Sequence, residues 1–327
     1  MTWNPNANGY VQTITISGTD VYVGGIFNFI GGLSRSCIAK LSTTGAGVAD
    51  PTWNPSADNI ITTIAVSGTD VYAGGVFTSI GGATRNYIAK LSTTGAGVAD
   101  PTWNPNANAG LYRILVNGTD VFVAGEFTTI GGATRNYIAK LSTTGAGVAD
   151  ATWNPNADAR VYSIVVNGTD VYAGGNFLNI GGQARNYIAK LSYSGIGAAD
   201  ATWNPNADGR VTDIEVRGTD VYATGNFGNI GGAAKNYIAK LSAAGAGVAD
   251  PAWSIALNPV YVNDTRLLFN SGVFYVGGTF TSPVNNFFVT GVLSVPSLGE
   301  WGMIILGMVL LFAGYRYISK RNMTRIA

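Results

Sequence analysis

Ile60-Ile61-Thr62-Thr63-Ile64-Ala65-Val66-Ser67 alternates apolar and polar positions and is rich in β-branched side chains, the pattern of a strand with one face buried rather than of a helix. Gly68-Thr69-Asp70 then supplies a turn, and Val71-Tyr72-Ala73-Gly74-Gly75-Val76-Phe77 returns as a second strand, so the pair reads as a hairpin. After Ile80-Gly81-Gly82, the run Asn86-Tyr87-Ile88-Ala89-Lys90-Leu91-Ser92 predicts a third strand, closed by the glycine-rich turn Thr94-Gly95-Ala96-Gly97. A fourth piece, Asp100-Pro101-Thr102-Trp103-Asn104-Pro105, is short and carries two prolines without an N–H, which suits an outer edge strand.

The same frame recurs along the chain. Trp3, Trp53, Trp103, Trp153, Trp203 and Trp253 keep a constant spacing, so no insertion or deletion interrupts it. Four short antiparallel strands in about 50 residues match the blade of a β-propeller, whereas solenoid coils usually have shorter periods. The first three strands recur near residues 11–42, 61–92, 111–142, 161–192, 211–242 and, degenerately, 264–294. The expected fold is all-β: a six-bladed β-propeller of four-stranded repeats over residues 1–295, followed by a separate segment, 296–327. Residues 2–5 would supply the strand that the last blade lacks and close the ring.

Composition narrows the chemistry. The 327 residues contain no histidine, which removes His-based triads, His general bases and His-ligated zinc. Nineteen Lys and Arg against eighteen Asp and Glu leave a net charge of +1, with no electrostatic footprint for a nucleic acid. The single cysteine, Cys37, stands where other copies have Tyr87, Tyr137, Tyr187 and Tyr237, so no internal disulfide can form and a buried thiol is expected.

Several recurring residues invite a functional reading. Asp20, Asp70, Asp120, Asp170 and Asp220 form a carboxylate series, but Gly-Thr-Asp is turn chemistry. Arg35, Arg85, Arg135, Arg185 and Lys235 share one repeat position and would form a circle of cations on one face, a candidate ligand face for an anionic glycan; local pairing with acids is the alternative. Asn204 to Asp208 and Gly209, with Glu215, resembles a calcium loop only superficially: few of its positions are charged and Glu215 falls within a strand. Asn117, Asn167 and Asn263 begin glycosylation sequons, the first two within hairpin turns. The Gly-Gly pairs lack the lysine and helix of a phosphate loop. No metal or cofactor is nominated. Ile26, Val76, Glu126, Asn176 and Asn226 vary between copies, as do Gln12, Thr62, Arg113, Ser163 and Asp213, and are expected to face solvent or a central channel.

From Val295 the sequence changes character. Val295-Pro296-Ser297-Leu298-Gly299-Glu300-Trp301-Gly302 leads into an apolar run ending at Tyr315, followed by the cations Arg316, Lys320, Arg321 and Arg325. As a helix the run from Trp301 to Tyr315 would rise about 22 Å, so a single transmembrane helix needs its flanks, with Arg316 snorkelling and the basic end cytoplasmic. These residues resemble the IPTL-CTERM sorting tail of bacterial envelope proteins, with conservative changes at the first and third places of its box. The resemblance implies a Gram-negative exported protein, held in the inner membrane as a precursor, recognised by an exosortase-type membrane transpeptidase and delivered to the cell surface or extracellular space. The repeats resemble uncharacterised secreted bacterial propellers with Trp-Asn-Pro and Gly-Gly-x-Phe frames. An exported chain should carry a leader, yet Met1 opens directly in a repeat; a longer precursor is expected, or else the tail acts as the membrane signal by itself.

Together these features predict a surface or matrix binding and scaffold module with no catalytic residues, its ligand a surface glycan or protein. A glycan-processing enzyme using Asp213 and Glu215, which strand alternation puts on one face, and a passive spacer are the alternatives.

Overall fold

The computed structural model describes residues 3–255, 259–270, 273–280 and 287–290. These fall into two compact units divided after Val116. All regular structure among the described residues is β, and no helix there is long and apolar enough to cross a membrane. The segment 295–327, with its box, apolar run and cations, lies outside the described residues, as do Met1 and Thr2.

In the unit ending at Val116, the first repeat pairs Tyr10–Ser17, Asp20–Ile26 and Ile38–Ser42 in that order, and the second pairs Ile61–Ser67, Asp70–Gly75 and Ile88–Ser92. In the other unit, Asp120–Gly125 pairs with Ile138–Ser142. The fourth repeat there is Val161–Asn167, Asp170–Gly175 and Ile188–Ser192; the fifth is Val211–Arg217, Asp220–Gly225 and Ile238–Ser242. A further antiparallel sheet follows, of Pro259–Asn270, Val273–Phe280 and Phe287–Thr290. In the first, second, fourth and fifth repeats the expected hairpins therefore form, each with a bulge near the start of its first strand, as between Val11 and Thr13 or Val211 and Asp213.

The fourth strand shrinks to one bridge, and it falls earlier than expected. Ala49, Ala99, Ala149, Ala199 and Ala249 each bridge back to the leucine of the third strand. The following Pro-Thr-Trp-Asn-Pro segment is not an edge strand. Asp100 explains the change of course: its Oδ1 accepts the N–H of Thr102 and of Trp103, bending the chain so that the indole turns inward. Sequence reading also missed the small hairpin Ser79–Ile80 with Ala83–Thr84, present in every one of the first five repeats and turned by two glycines with positive φ.

Trp53, Trp153 and Trp203 each join two consecutive repeats. Trp53 is fully buried, meets Tyr22 of the preceding repeat edge-on at 5.4 Å, and donates from Nε1 to the Ser92 carbonyl of the next at 2.8 Å. In the second unit Trp153 does the same with Phe122 and Ser192, and Trp203 with Tyr172 and Ser242. The ring lies flat on a glycine: a Cβ on Gly97, whose φ is +70°, would sit 2.7 Å from both Trp53 Nε1 and Pro55 Cγ. Around this joint Lys90 reaches Asp100 at 2.6 Å and Asp70 at 3.9 Å, Lys40 and Lys240 pair likewise with Asp20 and Asp220, and Asp120 instead accepts from the Tyr193 hydroxyl at 2.7 Å.

Candidate functional site

Within each unit, first strands of successive repeats lie side by side, and their side chains tie them together. Ile114 N–H donates to Thr63 Oγ1 at 3.1 Å, and Ile214 N–H donates to Ser163 Oγ at 3.1 Å. Asp213, only 2 % exposed, accepts from the Ser163 hydroxyl, the Ile214 N–H and, through Oδ2, the Leu267 N–H at 2.8 Å. The expectation that Ser163 and Asp213 face solvent or a channel is therefore corrected: they are buried links between neighbouring strands. Glu215 pairs with Arg217 Nη2 at 2.5 Å, so the two acids considered for glycan chemistry are held by separate structural partners.

The cation circle is likewise corrected. Arg35, Arg85, Arg135, Arg185 and Lys235 are all less than a tenth exposed. Arg85 donates to the Thr84 carbonyl at 2.7 Å and the Asp100 carbonyl at 2.6 Å, pinning the small hairpin to the bend before the tryptophan; Lys235 donates to the Trp253 carbonyl. A guanidinium spent on buried carbonyls presents no ligand face. The resemblance to a calcium loop fails as well: Asp208 accepts from Gly228 N–H, Asn229 N–H and Asn229 Nδ2, which together hold its carboxyl below the usual carboxylate range despite opposing desolvation. No group of three or more acids and cysteines converges among the described residues. Asn117 and Asn167 are the exposed last residues of the strands Leu111–Asn117 and Val161–Asn167, and Asn263 lies in the strand Pro259–Asn270.

What remains variable and accessible gathers at one end of the hairpins, where the first strand begins and the second ends. In the second unit Arg160 Nε meets Glu126 Oε1 of the preceding repeat at 2.9 Å, with the side chains 53 % and 34 % exposed. Asn176 Nδ2 donates to the Tyr162 hydroxyl at 3.0 Å, and the Asn226 amide oxygen accepts from Arg210 Nη2 at 2.9 Å and Nε at 3.1 Å. In the first unit the corresponding residues are apolar: Tyr10 stands opposite Ile26, and both are exposed. Arg160, Arg210 and Tyr162 were missed as site residues, although the sequence shows them at positions differing from copy to copy.

Tandem sheets of this kind, joined by tryptophans, define β-propeller repeats. A family model described as a domain of unknown function (DUF5122) beta-propeller matches residues 71–97 and 121–146. The computationally designed Ika8 protein is similar with TM-score 0.48 and 9 % identity, over 84 % of this chain and 83 % of that one. PorZ, an essential bacterial surface component of the type-IX secretion system of Porphyromonas gingivalis, is similar with TM-score 0.49 and 13 % identity over 84 % of this chain, which spans 46 % of PorZ. No curated protein matches the chain.

Proposed function

We propose that the chain is an exported binding and scaffold propeller of the bacterial surface or matrix, with ligand selection at the variable end of its hairpins. One contrast supports this reading: tryptophans and arginines that repeat from copy to copy are buried and bonded to backbone carbonyls, and the aspartates before the tryptophans are held by lysines and backbone N–H groups, whereas Glu126, Arg160, Tyr162, Asn176, Arg210 and Asn226 differ between copies and cluster where a ligand has access. Amide, guanidinium and phenol groups together suit the hydroxyl-rich surface of a glycan. A glycan array with the purified chain tests the reading. Saturable binding that weakens at least about tenfold in Arg160→Ala or Arg210→Ala supports it; turnover of the bound sugar favours the enzyme, and silence across the array favours a passive spacer.

The finer architecture belongs to the same proposal. Six repeats close into a ring, with residues 2–5 supplying the strand that the last repeat lacks; the support is the six-fold sequence pattern, which opens on a tryptophan segment and ends without one. Deleting residues 1–8 then lowers the melting temperature sharply, and unchanged melting contradicts closure. Val295 to Gly302 act as the sorting box, the following run as the membrane helix and Arg316, Lys320, Arg321 and Arg325 as its cytoplasmic stop, with an exosortase-type transpeptidase as partner; the residue pattern is the support. Replacing Glu300 and Trp301 by alanine should trap the precursor in the inner-membrane fraction.

A further inference from the structure

One position in the first strand is chemically divided. It holds Thr13, Thr63, Ser163 and Asp213, opposite Gly24, Gly74, Gly174 and Thr224 respectively. Arg113 occupies it in the third repeat, and register puts Arg266, opposite Gly277, there in the last. The oxygens of Thr63, Ser163 and Asp213 accept the next first strand's N–H. Arginine has five donors and no acceptor, so it is unable to make that link. Both arginines are half-buried, and neither has a hydrogen bond or ion pair among the described residues. Arg35, Arg85, Arg135 and Arg185 bond carbonyls, and Arg160 and Arg217 bond carboxylates.

We propose that Arg113 and Arg266 are anion anchors, each within its own unit, that take the carboxylate or sulfate groups of an acidic glycan. This rests on the glycan-binding reading above and names its ligand class. A half-buried guanidinium grips a planar oxyanion with two parallel hydrogen bonds, and reduced solvent exposure strengthens each of them. With a chain charge of only +1, there is no broad field for a dense polyanion; isolated guanidiniums fit a ligand whose anions are spaced along a neutral, hydroxylated backbone.

Calorimetric titration of the full chain tests the assignment with three probes whose anions are spaced as the proposal requires: hyaluronan oligosaccharides for carboxylate, a sparsely sulfated dextran for sulfate and plain dextran as the neutral arm. Arg113→Gln and Arg266→Gln should each weaken the preferred acidic probe at least about tenfold, and Arg113→Lys should recover part of the loss. Dextran binding should not change, and an unaltered far-UV spectrum shows that the variants fold. Equal acidic-probe affinity in both glutamine variants overturns the anchors. Wild-type binding of dextran but of neither acidic probe also overturns them while leaving the glycan-binding reading intact, and binding of no glycan at all removes both.

Discussion

Replacing Trp153 should cost more than any other single side-chain truncation in the fourth repeat, because the indole serves two repeats at once. It is fully buried, its ring meets Phe122 edge-on at 5.3 Å, and Nε1 donates to the Ser192 carbonyl at 2.9 Å. Trp153→Ala forfeits the burial, the aromatic pair and the hydrogen bond, a loss of about 3–5 kcal/mol for a large core side chain. Trp153→Phe keeps most of the ring contact but drops the hydrogen bond and part of the volume; with about 1 kcal/mol for the bond, it should cost about 2 kcal/mol. Urea unfolding followed by far-UV circular dichroism reads both. For a slope of about 3 kcal/mol/M, the alanine variant moves the midpoint down by about 1 M or more. Since coupling in a repeat array runs between neighbours, the transition should also broaden or split. Val148→Ala, at an exposed valine, is the control and should change little. A loss below about 1 kcal/mol in Trp153→Ala, with an unsplit transition, would refute the claim that tryptophans hold the repeats together.

Other measurements probe the same frame. Gly97→Ala should destabilise clearly more than Gly95→Ala in thermal melts: both have positive φ, but only at Gly97 would the new Cβ strike Trp53 and Pro55, whereas the space at Gly95 is open. Asp50, Asp100, Asp150 and Asp200 have carboxyls held below the usual range, because backbone, hydroxyl and lysine donors outweigh desolvation. A depressed folded pKa stabilises fully above the unfolded value near 3.8, and that contribution disappears as pH falls through the folded one. Urea midpoints should therefore hold down to about pH 4 and drop below it, less steeply in Asp100→Asn. Asp213→Ala strands the Leu267 N–H and takes the acceptor from the Ser163 hydroxyl, and a loss of about 2 kcal/mol or more in the urea melt checks that the acid is a strand link.

Strands were legible in the sequence because alternation, β-branching and Gly-Thr-Asp turns act over a few residues. Ile61–Ser67 and Asp70–Gly75 fall where Ile60 to Ser67 and Val71 to Phe77 read as a hairpin. The tryptophan segment misled because two prolines describe an edge strand and a turn equally well; the deciding interaction is the Asp100 carboxylate taking the N–H groups two and three residues on. Arg85 misled for another reason. Its acceptors are the carbonyls of Thr84 and Asp100, and a backbone carbonyl leaves no trace in side-chain pattern. Tyr87 and its equivalents, non-glycine residues at φ near +65°, were equally invisible, since only the bonded bulge that joins Gly75 N–H to the Tyr87 carbonyl demands that conformation.

The repeat design itself restricts where function can reside. A residue copied at every fifty-residue step is under the same packing demand in every repeat, and most such residues here close the joint between repeats: tryptophan, the glycine beneath it, and the Lys-Asp pair beside it. Copying an identical ligand contact into all repeats would build a periodic surface, yet the charged members of the period are consumed internally. On the binding function proposed above, discrimination comes from departures from the period. The first unit departs with Tyr10 and Ile26, apolar and exposed; the second with Glu126, Arg160 and Arg210, charged and paired. Swapping Arg210 and Asn226 for the residues at Ile60 and Val76 should remove binding while leaving the melt unchanged, because none of the four side chains participates in the tryptophan joint. Loss of stability with binding retained would place these side chains in the frame instead of the site.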